Sequence, residues 1–307
     1  MIKIGIIGNK NSIQQHIDQI KKIPEFNLIG IYNQDLRETN KSAQEFNIKP
    51  FNSFNSFVNS VDVIDLVSSK REYYNDIITA LKNTKHLFIK SIKNYTKYEI
   101  ENLIKLSNEA NVHIQVYNNE RFSSTFISAK KYFDNPMYVE SQNFINYEQS
   151  NLKLPRVLDL IYTDLNLSVS LIKSNSKKIE ATSLSIVNSS PDIINARISF
   201  DNGSVINLTA GRISNKKTHI CKFFQRDAII EIDFNNSKTQ ISKKSKKKFL
   251  FEELELIENN KIFEQLSNFQ HSIEKNLQPI INIENELKIL DIFGKILDKI
   301  KLTSNQI

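Results

Sequence analysis

The sequence predicts an α/β protein in two parts: a doubly wound parallel sheet over residues 1–118, then an α+β domain over residues 119–307 built on a large, mostly antiparallel sheet. Three observations lead there. Up to Asn118, short apolar runs alternate with stretches of helical periodicity, the mark of βαβ units. After Asn135-Pro136 the pattern turns to long alternating strands. The length of 307 residues also exceeds one ordinary core, so two domains of roughly 120 and 180 residues are expected.

In the first part the strand candidates are Ile2–Ile7, Leu28–Tyr32, Val63–Val67, Leu87–Ile89 and Val112–Val116, with helices expected around 11–22, 36–46, 71–83 and 96–110. Ile100, Ile104, Leu106 and Ala110 line one face of the last of these. Right-handed crossovers make such a sheet doubly wound and place its ligand crevice beyond the strand C-termini. In the second part, Ile194, Ala196, Ile198 and Phe200 alternate up to Asp201-Asn202-Gly203, and Val205–Ala210 returns; Asn-Gly there predicts a type I′ hairpin. Residues 219–225 and 228–234 form a second pair around Arg226-Asp227. Leu158, Ile161, Leu165, Val169 and Ile172 are spaced for a helix, and amphipathic helices near 261–275 and 284–300 close the chain. These helices are expected on one face of the large sheet, leaving the other for a subunit contact.

Composition narrows the function classes. The net charge of +7 and pI near 9.1 would suit nucleic acid, but lysine is scattered, and its one dense run (Lys243, Lys244, Lys246, Lys247, Lys248) has no interleaved aromatics and reads as a solvated loop or strand edge. The single cysteine, Cys221, excludes an intrachain disulfide and any multi-cysteine metal site. No apolar run approaches the roughly 18 residues of a spanning helix, and a cytoplasmic protein is expected. Glycine is scarce, six in 307 residues, well below the average of about 7%. The first strand ends at Gly8, where a dinucleotide-binding turn would carry G-x-G-x-x-G, yet Lys10 and Ile13 occupy its second and third glycine positions.

Several segments, in this order and spacing, resemble the Gfo/Idh/MocA family of NAD(P)-dependent oxidoreductases, in its branch acting on sugars or sugar nucleotides. They are Ile4-Gly-Ile-Ile-Gly8 with His16, Lys85–Ile89, Asn119-Glu-Arg-Phe122, Leu158-Asp-Leu160, Phe224-Gln-Arg-Asp227 and the stretch Phe269–Ile281. The resemblance runs nearly end to end. It implies a Rossmann domain that binds NAD or NADP, a sugar or sugar nucleotide as substrate, and a homo-oligomer formed through the C-terminal sheet. Carried over position by position, it puts the cofactor at Gly8, Asn9, Lys10, Ser12, Ile13, Asn33, Ser68 and Ser69.

The same carry-over shows what is missing. The family's catalytic lysine, in Glu-Lys-Pro after the fourth strand, falls on Ser91, within Lys90-Ser91-Ile92. Lys93 has the right parity but lies about 6 to 7 Å further along an extended chain. Tyr73 stands where the family often has a histidine. The helix motif D-x-x-x-H keeps Asp159 but has Thr163 for the histidine; Asn166 replaces the next acidic residue while Asp164 is retained. A threonine hydroxyl does not titrate near neutrality and cannot take up an alcohol proton. Core or surface roles are expected for His16, His86, His113, His219 and His271. Two readings follow: an oxidoreductase with impaired turnover, using Lys93, Tyr73 or water as substitutes, and a non-catalytic binding or oligomer-forming relative.

Overall fold

Ile2–Ile7 (β1) is the inner strand on which the first unit is built. It pairs in parallel with Phe26–Tyr32 (β2) on one side and Val63–Leu66 (β3) on the other, and the sheet continues through His86–Ile89 (β4) to Ile114–Val116 (β5). A parallel sheet is covered on both faces, so its strands are largely apolar: Ile4, Ile6, Ile31 and Val63 are wholly buried. The covering helices are Lys10–Ile20 (α1), Leu36–Phe46 (α2), Phe54–Val58 (α3), Tyr74–Lys82 (α4) and Lys97–Ala110 (α5). The predicted helix over 71–83 is split, because Arg71–Tyr73 form a 3-10 turn before α4. α3 has five residues, too few for a helical period to show in sequence. The structure, a computed structural model, describes residues 1–146, 157–187, 190–245 and 248–304.

The second unit begins with Ser124–Ala129 (α6) and Tyr138–Phe144 (β6), followed by Val157–Val169 (α7). Seven strands come next: Ser176–Leu184 (β7), Ile193–Phe200 (β8), Val205–Gly211 (β9), Thr218–Phe224 (β10), Ala228–Asp233 (β11), Lys238–Ser245 (β12) and Lys248–Glu253 (β13). They form an eight-stranded sheet with β6, in the order β13-β12-β11-β10-β6-β9-β8-β7. Every pairing is antiparallel except β6 with β9. Val139, Ala196, Ile206, Leu208, Phe223 and Ile230 share a core with Phe126, Ile161 and Leu165 of the helices. Of the lysine run, Lys243 and Lys244 lie on β12 and Lys248 on the edge strand β13, while Lys246 and Lys247 fall outside the described residues.

The β8–β9 turn differs from expectation. Gly203 N–H donates to Phe200 C=O at 3.0 Å and Phe200 N–H to Ser204 C=O at 2.9 Å, and only Gly203, at φ +85°, takes a positive φ. This is a three-residue loop with a left-handed glycine, whereas type I′ would need Asn202 at positive φ as well.

Lys261–Lys275 (α8) and Ile283–Ser304 (α9) follow. The compact units are Met1–Asn119 with Asn259–Lys288, and Glu120–Glu258 with Ile289–Ile307. Thus the expected division at 118/119 differs in one large respect: α8 belongs with the parallel sheet. Its Ile262, Leu266 and Phe269 share a core with Ile4, Ile13, Ile17 and Phe88. Gln265 fixes it there, its side chain accepting from Asn118 N–H at 2.7 Å and its carbonyl accepting from Gln115 Nε2 at 3.0 Å.

Scarce glycine is offset at helix ends by asparagine, the other residue that tolerates the left-handed region. Asn47, Asn111 and Asn276 cap α2, α5 and α8 at φ 51°, 50° and 50°.

At the start of β4, burial and then the neighbouring His113 lower the His86 pKa to about 4, and His86 Nδ1 accepts from His113 N–H at 3.0 Å. A histidine depressed in this way contributes stability above pH 6.5 that drains away as pH falls through about 4. Urea unfolding followed by circular dichroism is expected to lose up to about 3 kcal/mol over that window, and His86→Asn, which keeps an acceptor, to flatten the loss.

Candidate functional site

The first candidate site is the turn between β1 and α1. Asn9 caps α1, its side-chain oxygen accepting from Ser12 N–H at 3.3 Å and from Ser12 Oγ at 2.6 Å. The helix therefore starts directly at the strand end, presenting the positive end of its dipole where a diphosphate would lie. A Cβ on Gly8 would stand 2.7 Å from Ile13 Cγ2, so glycine is required there by Ile13 itself. The Ile13 side chain is wholly buried. Lys10 is drawn aside to Glu45 near the end of α2, at 2.6 Å. Both side chains that replace glycines are thus accommodated against the protein, and the turn's residues fit a dinucleotide.

Beneath the turn lies a pair that the sequence did not reveal. His16 Nδ1 of α1 meets Asp65 Oδ2 of β3 at 2.7 Å, with side-chain exposures of 8% and 1%. A buried carboxylate is tolerated only when partnered, so this bond pins the phosphate-facing helix to the centre of the sheet. At the end of β2, Asn33 Nδ2 donates to Gly8 C=O at 2.9 Å and Asn33 Oδ1 accepts from Asp35 N–H at 2.9 Å. One N–H and one lone pair of that amide remain beyond these two bonds. Asp35 is the N-cap of α2, accepting from Arg37 N–H at 2.9 Å.

The strand ends beyond are quieter. Ser68 Oγ accepts from Lys70 N–H at 3.3 Å, and Ser69 C=O accepts from Asn94 Nδ2 at 2.8 Å. Ser91, on which the family resemblance places a lysine, closes a local turn by accepting from Lys93 N–H at 3.3 Å. Lys93 is half-buried, and Lys90 is exposed. Tyr73 is 1% exposed; burial, then the charge of Glu72, pushes its hydroxyl up to about 12, so it stays protonated and does not serve as a base near neutrality.

In the second unit the interest falls beside the expected motif. Asp159 is exposed in the first turn of α7, and Thr163 Oγ1 donates back to Asp159 C=O at 2.9 Å, so the hydroxyl is used within the helix. The next residue, Asp164, turns into the interior. Its carboxylate accepts from Ser141 Oγ at 2.6 Å and Asn143 Nδ2 at 3.3 Å, and meets His219 Nε2 of β10 at 2.7 Å. Burial pulls the His219 pKa down, but the charge and hydrogen bond of Asp164, with Glu120 adding to them, leave it above the ordinary value. Cys221 Sγ lies 3.3 Å from Ser141 Oγ, and burial, then Asp164, pushes its thiol well up. Asp164, His219 and Cys221 bring their polar atoms within 4.8 Å of one another. With its hydrogen bonds made and its thiol protonated, the group reads as a hydrogen-bonded network.

These features define a Rossmann-type parallel-sheet unit and an α+β unit. The Gfo/Idh/MocA oxidoreductase family, NAD-binding Rossmann fold, matches residues 2–118 of the chain. The chain is 21% identical over 241 residues to UDP-N-acetylglucosamine 3-dehydrogenase of Acidithiobacillus ferrooxidans, covering 78% of this chain and 76% of that one. A solved structure of UDP-N-acetylglucosamine 3-dehydrogenase from that organism superposes with a TM-score of 0.89 at 18% identity, over 99% of both chains. A dehydrogenase from Clostridium difficile gives 0.82 at 20% identity, over 97% of this chain and 99% of its own. Levoglucosan dehydrogenase, in complex with NADH and L-sorbose, gives 0.83 at 13% identity, over 98% and 97%. Likeness at these identities speaks to the fold. Among the described residues no helix is long and apolar enough to cross a membrane.

Removing the imidazole from the buried pair leaves Asp65 uncompensated. His16→Ala is expected to cost about 3 to 5 kcal/mol in urea unfolding, with His16→Ala/Asp65→Asn recovering part of the loss.

Proposed function

We propose that this protein binds a nicotinamide dinucleotide on its parallel-sheet unit and oxidises a secondary alcohol of a sugar nucleotide, with turnover slowed by the loss of the family's lysine and histidine. The β1–α1 turn carries the reading, because Lys10 and Ile13 are turned to Glu45 and to the core and the start of α1 is kept. The name of the Acidithiobacillus relative supports a UDP-N-acetylated hexose as the substrate class. When bound, the cofactor supplies the acceptor for hydride.

The chain's own residues do the rest. The N-terminus of α1 holds a diphosphate by its backbone N–H groups. Asn33 offers its remaining amide capacity to a ribose hydroxyl, and being uncharged it suits NAD and NADP alike. Ser91 and Thr163 do not move a proton near neutral pH. Loss of a positioned acid or base costs about 10²- to 10⁴-fold in rate, and two groups that act as a unit need not multiply. The outer face of the eight-stranded sheet, with Ile220, Phe224 and Ile229 among its half-buried residues, is the surface we assign to a second copy of the chain. A second reading, a binding subunit without turnover, draws on Ser91 and Thr163 both being spent in local hydrogen bonds.

Titration with NADH and NADPH, followed by nicotinamide fluorescence, tests the first reading; silence up to millimolar cofactor would sink it. With cofactor bound, UDP-sugars are expected to give slow formation of reduced nicotinamide. Ser91→Lys/Thr163→His is expected to raise that rate by about 10²-fold, and no response in either protein would favour the binding subunit.

A further inference from the structure

β13 ends the eight-stranded sheet, and among the described residues only β12 pairs with it. In an antiparallel ladder alternate residues of a strand bond to one neighbour, and the residues between them bond to the other side. Just past β13, Leu254 N–H donates to Thr239 C=O at 2.8 Å. Counting back from Leu254, the residues that bond to β12 are Glu252, Leu250 and Lys248. The N–H and C=O groups of Phe249 and Phe251 therefore point away from the sheet. β12 agrees, because Lys244 N–H donates to Asp227 C=O on the β11 side, which leaves Lys243 and Ser245 to bond Leu250 and Lys248, their partners in register. An open row of this kind is a template for another strand.

The residues of the strand say which. Lys248-Phe249-Leu250-Phe251-Glu252 reads alike in both directions, except that its two end charges are opposite. We propose that β13 pairs antiparallel with β13 of a second copy of this chain, about a two-fold axis at Leu250, so that the large sheet runs on from one copy into the other. Leu250 then lies across from the partner's Leu250, Phe249 from the partner's Phe251 and Lys248 from the partner's Glu252. Phe249 and Phe251 carry the outward groups, so their pairs exchange both hydrogen bonds of the ladder, and Leu250 makes the closer pair between them.

Charge selects this register over its rivals. Opposite charges directly across a ladder are favourable and like charges are not. A pairing centred on Phe251 would satisfy the same backbone groups, but it sets Lys248 and Glu252 across from leucines. A parallel pairing in register would set Lys248 on Lys248 and Glu252 on Glu252. The side chains are also accessible: Leu250 is 58% exposed and Phe251 82%. Lys248 and Glu252 are exposed, and Glu252 has Lys243 no nearer than 3.8 Å. Proline, a common guard of bare edges, does not occur in β13. The contact uses the rim of the sheet, apart from the outer face assigned above, and it requires nothing of the catalytic reading.

Cross-linking of the full chain tests the register. Cys221, the single native cysteine, is buried, so an added cysteine reports its own contacts. In the proposed pair the two Leu250 Cα atoms stand about 4.5 Å apart, within the span of a disulfide. The two Phe251 positions are offset by two residues along the strands and fall outside that span. Leu250→Cys is expected to give a covalent dimer under mild oxidation, and Phe251→Cys at least about tenfold less of it.

Sedimentation velocity over a concentration series reads the association itself. Phe251→Pro removes an outward N–H and leaves the β12 ladder intact, and it is expected to raise the Kd of self-association about tenfold. Lys248→Glu and Glu252→Lys are each expected to weaken it about tenfold. An equimolar mixture of those two variants is expected to recover it, because each strand then meets opposite charge.

Absence of a covalent dimer from Leu250→Cys overturns the proposal, and so does equal cross-linking at positions 250 and 251. Self-association indifferent to Phe251→Pro and to both charge variants overturns it as well, and is the result that assembly through the outer face alone would give. The cross-linking decides the matter by itself where a sedimentation variant does not fold, because position 250 is already exposed.

Discussion

A carboxylate taken out of water must be met by a partner, and both halves of this protein are organised around that requirement. Asp65 sits on the middle of the parallel sheet and is met by His16 of the first helix; Asp164 sits on α7 and is met by His219 of the large sheet. Each pair joins a helix to a strand, its members 49 and 55 positions apart in sequence. Desolvation makes such a pair a weak source of stability, yet breaking it by removing one member is expensive. Its contribution is to geometry. The His16 bond sets where α1 begins relative to β1 and β3, and the Asp164 bond decides which way a ring nitrogen faces.

That geometry also explains how a strand-to-helix turn of the Rossmann kind is kept with one glycine of three. The turn needs a short strand-to-helix connection, exposed backbone N–H groups and room for a diphosphate. Ile13 uses the space above Gly8 from within the core, and Lys10 is held at the side by an ion pair whose partners are each about 40% exposed. An exposed pair of this kind contributes little to stability. It does, however, give the lysine side chain a place away from the strand end.

Ser91 and Thr163, on which the family resemblance places a lysine and a histidine, are hydroxyls engaged in a local turn and within a helix. The buried ionisable groups of the second unit, Asp164 and His219, meet between α7 and β10, with Glu120 acting on the ring.

Much of this could be read before any coordinates. Apolar runs of three to six residues located the five parallel strands, because a strand covered on both faces has no polar side to alternate with. The bounds of α2 and α8 were legible from amphipathic periodicity. Other features were not legible, for identifiable reasons. Asn202-Gly203 signalled a hairpin correctly, but turn type depends on φ at both residues, and only Gly203 went left-handed. α8 lies far along the chain from the sheet it packs on, and helical periodicity names a buried face without naming what buries it.

The sequence by itself determined the five parallel strands, the two strand pairs β8–β9 and β10–β11, the closing helices, and the resemblance of residues 2–118 to the Gfo/Idh/MocA family. Those are properties of residue order and local spacing. Only the tertiary structure decided that Lys10 turns to Glu45, that Tyr73 is buried with its proton held, and that Asp164 and His219 meet. The physical reason is that burial and pairing of charge are made between residues brought together by folding, at separations over which a linear pattern carries no signal.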